Sequence, residues 1–222
     1  MSAPTTLAEQ YARITRARDE DLAADLLALT PTHEGRDRDR LRAWAAAALR
    51  FGERMADEDA GEPGDTAAPE VSERATGGLR PGEVLLAEFV HRSAGDRVVV
   101  YTDALDYARR VARAAGWGRD YTRAALRETA LSHEHAHRML LHGGRGRSLL
   151  RELDHVVLSL GPLRLRGHVV GADEIAAHAY ARRRAGLRRS PVALTAAIAA
   201  TLAHRGPEPD RTPPRTSPGE CP

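Results

Sequence analysis

Lysine is missing from this chain: all 33 of its Lys+Arg positions are Arg. Cysteine is nearly missing too. The single Cys221 excludes an internal disulfide framework, and a reducing compartment such as the cytoplasm is the expected location. Aromatics make up only 4% of the residues, so Leu, Val and Ala must supply most of any core. No apolar run approaches the roughly 20 residues needed to cross a bilayer; the stretches 45–49 and 98–101 are typical of the longest. The first residues lack a basic region followed by an apolar run, so no secretory signal is expected. Charge of one sign is lacking as well. The formal net charge is +2, which gives no argument for a nucleic acid or an anionic membrane as partner.

Against those absences, 42% of the 222 residues are hydrophobic, enough for one cored domain with appendages. The expected fold class is α+β: mostly helical with a short antiparallel sheet, preceded by a helical hairpin. Residues 5–29 read as one helix through Leu7, Tyr11, Ile14, Leu22 and Leu26, stopped at Thr30-Pro31. A second helix, 36–55, carries Leu41, Trp44, Ala45, Ala48, Leu49 and Met55 on one side. Residues 1–56 form the N-terminal segment, and 57–79, rich in acids, Pro and Gly, reads as a loose linker. The main domain spans 80–205, and a Pro-rich, disordered tail spans 206–222.

Within the main domain, 83–90 and 97–101 are strand candidates around a turn at 93–96, followed by a helix to about 115. Strand 97–101 is either an edge open to an extended peptide or an ordinary buried strand. A helix over 120–141 follows, closed by Gly143-Gly144. Further helices are expected over 148–160, from 172 or 173 to 185, and from Pro191 to about 204, with 163–170 extended.

The 120–141 helix contains His133-Glu134-His135-Ala136-His137. Positions i and i+4 share a helix face, so His133 and His137 can share one tetrahedral zinc ion. Glu134 projects about 100° away, where it can act on a water at the metal as general base. The pattern arises by chance in about one chain in 30 of this composition, so context must carry the argument. The stripe Leu126, Ala130, His133, His137, Leu140 turns both histidines inward.

Zinc needs a third protein ligand. The metzincin pattern would put Gly at 140 and His at 143, but the chain has Leu140 and Gly143, which excludes that class. Glu174, 37 residues beyond His137 on a later helix, is the preferred ligand, with Glu152 and Asp154 as competitors. His178, one turn after Glu174, is a candidate to orient a ligand. Tyr180, His168 and Tyr101 are candidate oxyanion donors. His135 is expected to be solvated, His142 to sit at the helix end, and His155 to be core or surface. The run Arg182-Arg183-Arg184 reads as a solvated helix C-terminus.

The two segments resemble the ImmA/IrrE-type metallopeptidases and related small gluzincins. These share a short His-Glu-x-x-His domain and a later Glu-x-x-Ala-Asn-x-Phe-Ala-like segment bearing the glutamate ligand. Glu174, Ala177 and Ala181 match; His178 stands for the usual Asn and Tyr180 for the Phe. Family members often have a His four residues after the motif, where this chain has His142 at five. The resemblance covers about residues 80–185 and implies a small zincin-like domain, a zinc peptidase acting on a protein or peptide in regulatory proteolysis, with Glu134 as base. The competing readings are a catalytically silent interaction protein on the same fold and a DNA-associated regulator.

Overall fold

The computed structural model describes residues 5–60, 69–91, 95–142, 144–160 and 163–205. The expected tail at 206–222 and residues 93–94 of the 93–96 turn lie outside them, as do residues 61–68 of the expected linker.

The chain opens with α1 (Leu7–Arg16), fixed by a reciprocal capping box between Thr6 and Glu9. The single helix expected over 5–29 is two. Ala17 is extended, and α2 (Asp19–Ala28) restarts on Asp19, Glu20 and Asp21. Three acids in succession are better accommodated at a helix N-terminus than in mid-helix. A short 3-10 turn at Pro31–His33 leads to α3 (Arg38–Asp59), capped by Asp37 on the Arg40 N–H.

The region expected as linker contributes structure at both ends. α3 runs on to Asp59, and β1 (Glu70–Arg74) forms a strand. After the short pair β2 (Leu79–Arg80) and β3 (Glu83–Val84) come β4 (Ala87–Val90) and β5 (Arg97–Tyr101). The strand expected over 83–90 is thus broken at Leu85-Leu86, where the Leu85 N–H turns to the Gly78 carbonyl at 2.8 Å. The main sheet has order β1-β5-β4. β4 and β5 make the expected antiparallel pair, with Phe89 opposite Val98, but β1 lies parallel to β5 and pairs Val71 with Val98. The sheet is therefore mixed, and β5 is its central strand.

Three helices and a hairpin follow: α4 (Thr102–Ala114), α5 (Arg123–His142), α6 (Arg145–Leu153), then β6 (Val156–Leu160) paired antiparallel with β7 (Leu163–Arg166). The helix expected over 148–160 is corrected. Asp154 adopts a left-handed φ of 42°, its carboxylate accepting from Arg166 at 3.0 Å, and Val156-Val157 beyond it continue as strand. Gly171 at φ 85° turns the chain into α7 (Ala172–Arg184), and α8 (Pro191–Arg205) closes the fold.

One apolar cluster holds residues from both sides of the expected boundary at 57–79: Tyr11, Leu27, Trp44 and Met55 with Leu105, Leu126, Ile175 and Val192. α7 lies between α3 and α5 and contacts both extensively. None of the described helices is long and apolar enough to cross a membrane.

Candidate metal centre

The i, i+4 spacing on α5 brings His133 and His137 together, with ring centroids 4.7 Å apart and Nε2 atoms 3.0 Å apart. Glu174 enters from the first turn of α7. Its Oε2 is 3.1 Å from His137 Nε2 and its Oε1 is 3.3 Å from His133 Nε2. These are the three groups among the described residues whose donor atoms converge as a metal site would require. Metal–ligand bonds of about 2.0–2.2 Å in a tetrahedron place donors about 3.3 Å apart; the separations here, measured to the two different oxygens of Glu174, are of that order, and the group could hold a metal ion. Two imidazoles and a carboxylate fit the donor chemistry of such a site.

Glu152 and Asp154 are turned to other partners. Glu152 pairs with Arg54 at 3.2 Å, and Asp154 with Arg164 and Arg166.

The electrostatics are those of a tight group. Burial would raise the Glu174 carboxyl, but hydrogen bonds from His133 and His137 hold it well below the usual carboxylate range. Burial lowers His137, yet the Glu174 carboxylate more than offsets this and raises it. His178 packs its ring 4.7 Å from His133, with Nε2 3.4 Å from Glu174 Oε1 and 3.4 Å from Thr195 Oγ1. Burial pushes it down to about 3, so it is a neutral imidazole beside the ligand carboxylate. That is the position from which a second residue orients a ligand.

Glu134 lines the space between α5 and the sheet, close enough to the metal-site group to feel its charges. Burial raises its carboxyl, against the charges of His133 and His137 and the nearby Phe89 backbone N–H. The register explains that N–H. Tyr101 N–H bonds the Leu86 carbonyl at 2.9 Å, and bonding alternates along an antiparallel pair. Leu86, Glu88 and Val90 therefore bond inward to β5, while the backbone groups of Ala87 and Phe89 face the open edge. The edge strand beside the site is β4; β5, offered by the sequence as a possible edge, is interior. Between the sheet and α5 lies a pocket of about 110 Å³, with Val71, Val98 and Phe89 on one wall and Leu131, Glu134 and His135 on the other.

Several expected roles are not met. The Tyr180 hydroxyl donates to Asp59 Oδ2 at 2.6 Å and so is bound at the end of α3 rather than at the metal-ligating group. The Tyr101 hydroxyl donates to Glu88 at 2.5 Å. His168 is exposed between β7 and α7. His155, expected to be core or surface, packs on Trp44 at 4.8 Å. His135 is not simply solvated: it lies 3.7 Å from Asp59, with its ring 5.9 Å from that of Tyr180. The side chain of His142 lies outside the described residues. The arginine run is paired, Arg182 with Asp19 at 2.8 Å, Arg183 with Asp57 at 2.7 Å and Arg184 with Asp59 at 3.9 Å. The missed residue is Asp59. Its signal was the acidic run Asp57-Glu58-Asp59, opposite in charge to Arg182-Arg183-Arg184.

Comparison with protein families, curated proteins and solved structures returns no match.

Proposed function

We propose that this chain is a zinc-dependent peptidase, with His133, His137 and Glu174 as ligands and Glu134 as general base. The observation that carries the reading is the convergence of His133 Nε2, His137 Nε2 and the Glu174 carboxylate from two helices, with separations of 3.0, 3.1 and 3.3 Å. The resemblance to ImmA/IrrE-type enzymes supports the same assignment. Zinc held there would acidify a water and polarise a scissile carbonyl. Glu134 accepts the proton released on attack and returns it to the leaving amine. His178 holds the Glu174 carboxylate in line. An extended peptide along the open edge of β4 meets the outward backbone groups of Ala87 and the outward carbonyl of Phe89, a strand-addition mode that suits a peptide substrate. A protein that merely binds partners has no use for a base buried at that point.

Metal content and hydrolysis separate the parts. Purified wild type is expected to bind about one zinc per chain and to cleave a casein or peptide mixture. Glu174→Ala should lose the metal. Glu134→Gln should keep it and lose hydrolysis by on the order of a thousandfold or more. Equal hydrolysis by wild type and Glu134→Gln rules out the peptidase reading.

A further inference from the structure

A second cleft, of about 400 Å³, opens where the start of α2, the turn before α5, the end of α7 and the turn into α8 meet. Asp19, Asp120, Arg182, Arg188, Arg189 and Ser190 line it. Three arginines against two aspartates leave one positive charge over. The bonds show which arginine carries it. Arg182 commits all three of its nitrogens, to Asp19 at 2.8 Å, to the Leu187 carbonyl at 3.4 Å and to the Arg188 carbonyl at 3.0 Å. Arg188 gives two of its nitrogens to Asp120 Oδ1, at 3.0 and 2.6 Å. The Arg189 side chain makes no hydrogen bond or ion pair among the described residues, and its Nε is buried without an acceptor. Its charge reaches Asp19, but that carboxylate is already bonded to Arg182.

The Arg189 guanidinium is nevertheless held in place. It lies over the Trp117 ring, 4.6 Å from the centroid. Trp117 is buried, and its Nε1–H donates to Thr15 Oγ1 at 3.2 Å. The backbone is pinned as well, since the buried Tyr121 hydroxyl donates toward the Arg189 and Ser190 carbonyls at 3.1 and 2.7 Å. A fork of donors that is fixed and unpaired loses little freedom when an acceptor arrives. We propose that this cleft is an anion site that takes a single carboxylate, with the Arg189 guanidinium as its anchor. Charge selects the class. A carboxylate brings the one negative charge that balances the surplus, and its two oxygens match the guanidinium fork. A phosphate group carries about −1.5 to −2 near pH 7, and Asp19 and Asp120 would oppose the excess. A free small acid and the C-terminus of a peptide present the same group. Neither zinc nor the peptidase reading enters this assignment.

The test titrates the full-length protein near neutral pH at constant ionic strength and follows the indole N–H signals of its two tryptophans by NMR. Acetate should move the Trp117 signal and leave that of Trp44 in place, saturating with a Kd on the order of 1 mM, as so small a ligand allows. Acetamide, which has the shape without the charge, should move neither. Arg189→Gln should weaken acetate by at least about tenfold, the value of a hydrogen bond to a charged group. Arg189→Lys keeps the charge without the fork and should fall between the two; it carries the comparison if Arg189→Gln fails to fold. Arg164→Gln, which removes a charge from β7 instead, should bind as wild type does. An N-acetylated tripeptide with a free C-terminus that binds more tightly than acetate identifies a chain terminus as the occupant, and one that binds no more tightly identifies a small acid. No saturable shift, equal shifts from acetate and acetamide, phosphate binding tighter than acetate, an equal loss in Arg164→Gln, or full affinity in both Arg189 variants overturns the site.

Discussion

Asp59 ends α3 in a position that a carboxylate should avoid, since the C-terminal end of a helix repels negative charge. What holds it is the Tyr180 hydroxyl at 2.6 Å, with His135 at 3.7 Å and Arg184 at 3.9 Å. Burial pushes its carboxyl up, but the Tyr180 hydrogen bond and the His135 and Arg184 charges outweigh that and leave it below its usual value. A carboxyl depressed in the folded state adds stability above its unfolded pKa of about 3.9, and that stability disappears as pH falls through the folded value. Asp59→Asn should therefore cost about 2 kcal/mol at pH 7, the worth of a hydrogen bond to a charged group. The gap to wild type should close below about pH 4. Urea midpoints from pH 3 to pH 8 read this directly, and a gap constant over that range disproves it. At this scale the sequence is uneven. His133, Glu134, His137 and Glu174 were readable because helical spacing dictates who faces whom. Asp59 and His135 were not, since their partner Tyr180 is 121 residues beyond Asp59 and no local period links them.

Among elements, the crossing of α3 over α7 decides where Glu174 sits. It is close enough that a Cβ on Gly52 would lie 2.1 Å from the Ala176 carbonyl oxygen and 2.9 Å from Ala179 Cβ. Backbone fills that space, so no rotamer change relieves the overlap. Gly52→Ala gains about 1 kcal/mol of helix propensity, but the overlap forces the helices apart at a cost of about 3 kcal/mol or more. Ala176 is half a turn beyond Glu174, so the displacement should also weaken the proposed zinc binding by about tenfold, as loss of outer support does. Denaturation and competition against a zinc chelator measure the two effects. A variant with wild-type stability and affinity refutes the close crossing. The helices α3, α4, α5, α7 and α8 were legible because each repeats apolar residues at helical spacing or carries capping signals. The misread stretches were those where two rules competed. Residues 148–160 carry a helical pattern up to Leu153 and β-branched residues after it, and only the left-handed turn at Asp154 separates them. β1 was hidden because Glu70-Val71-Ser72-Glu73-Arg74 is polar and mostly exposed, and its strand character comes from pairing with β5.

At the scale of the whole molecule, the acidic, Pro- and Gly-rich composition of 57–79 suggested two parts, yet burial joins them. Composition reports local solubility, and it is silent on what packs across the break. The ion pairs that cross it, such as Arg182 with Asp19 and Arg183 with Asp57, are partly exposed and contribute little each. Apolar burial decides the matter. Tyr11, Ile14, Leu22, Leu27, Leu41, Trp44, Leu49, Phe51 and Met55 are all buried, and all belong to the cluster that includes Ile175 on α7 and Val192 on α8. At about 2 kcal/mol for each buried large side chain, these residues together outweigh the roughly 5–15 kcal/mol by which a domain is stable. A fragment of residues 69–205 retains every proposed ligand and the base, so motif reasoning alone would expect it to work. Burial predicts instead that it does not fold: it should show poor NMR dispersion, bind a hydrophobic dye and give no cooperative thermal transition. Adding a separate fragment of residues 1–60 should restore the transition, and zinc binding with it, because the missing face of α7 is supplied in trans. A cooperative transition in the 69–205 fragment alone would show that α1 to α3 are an appendage after all.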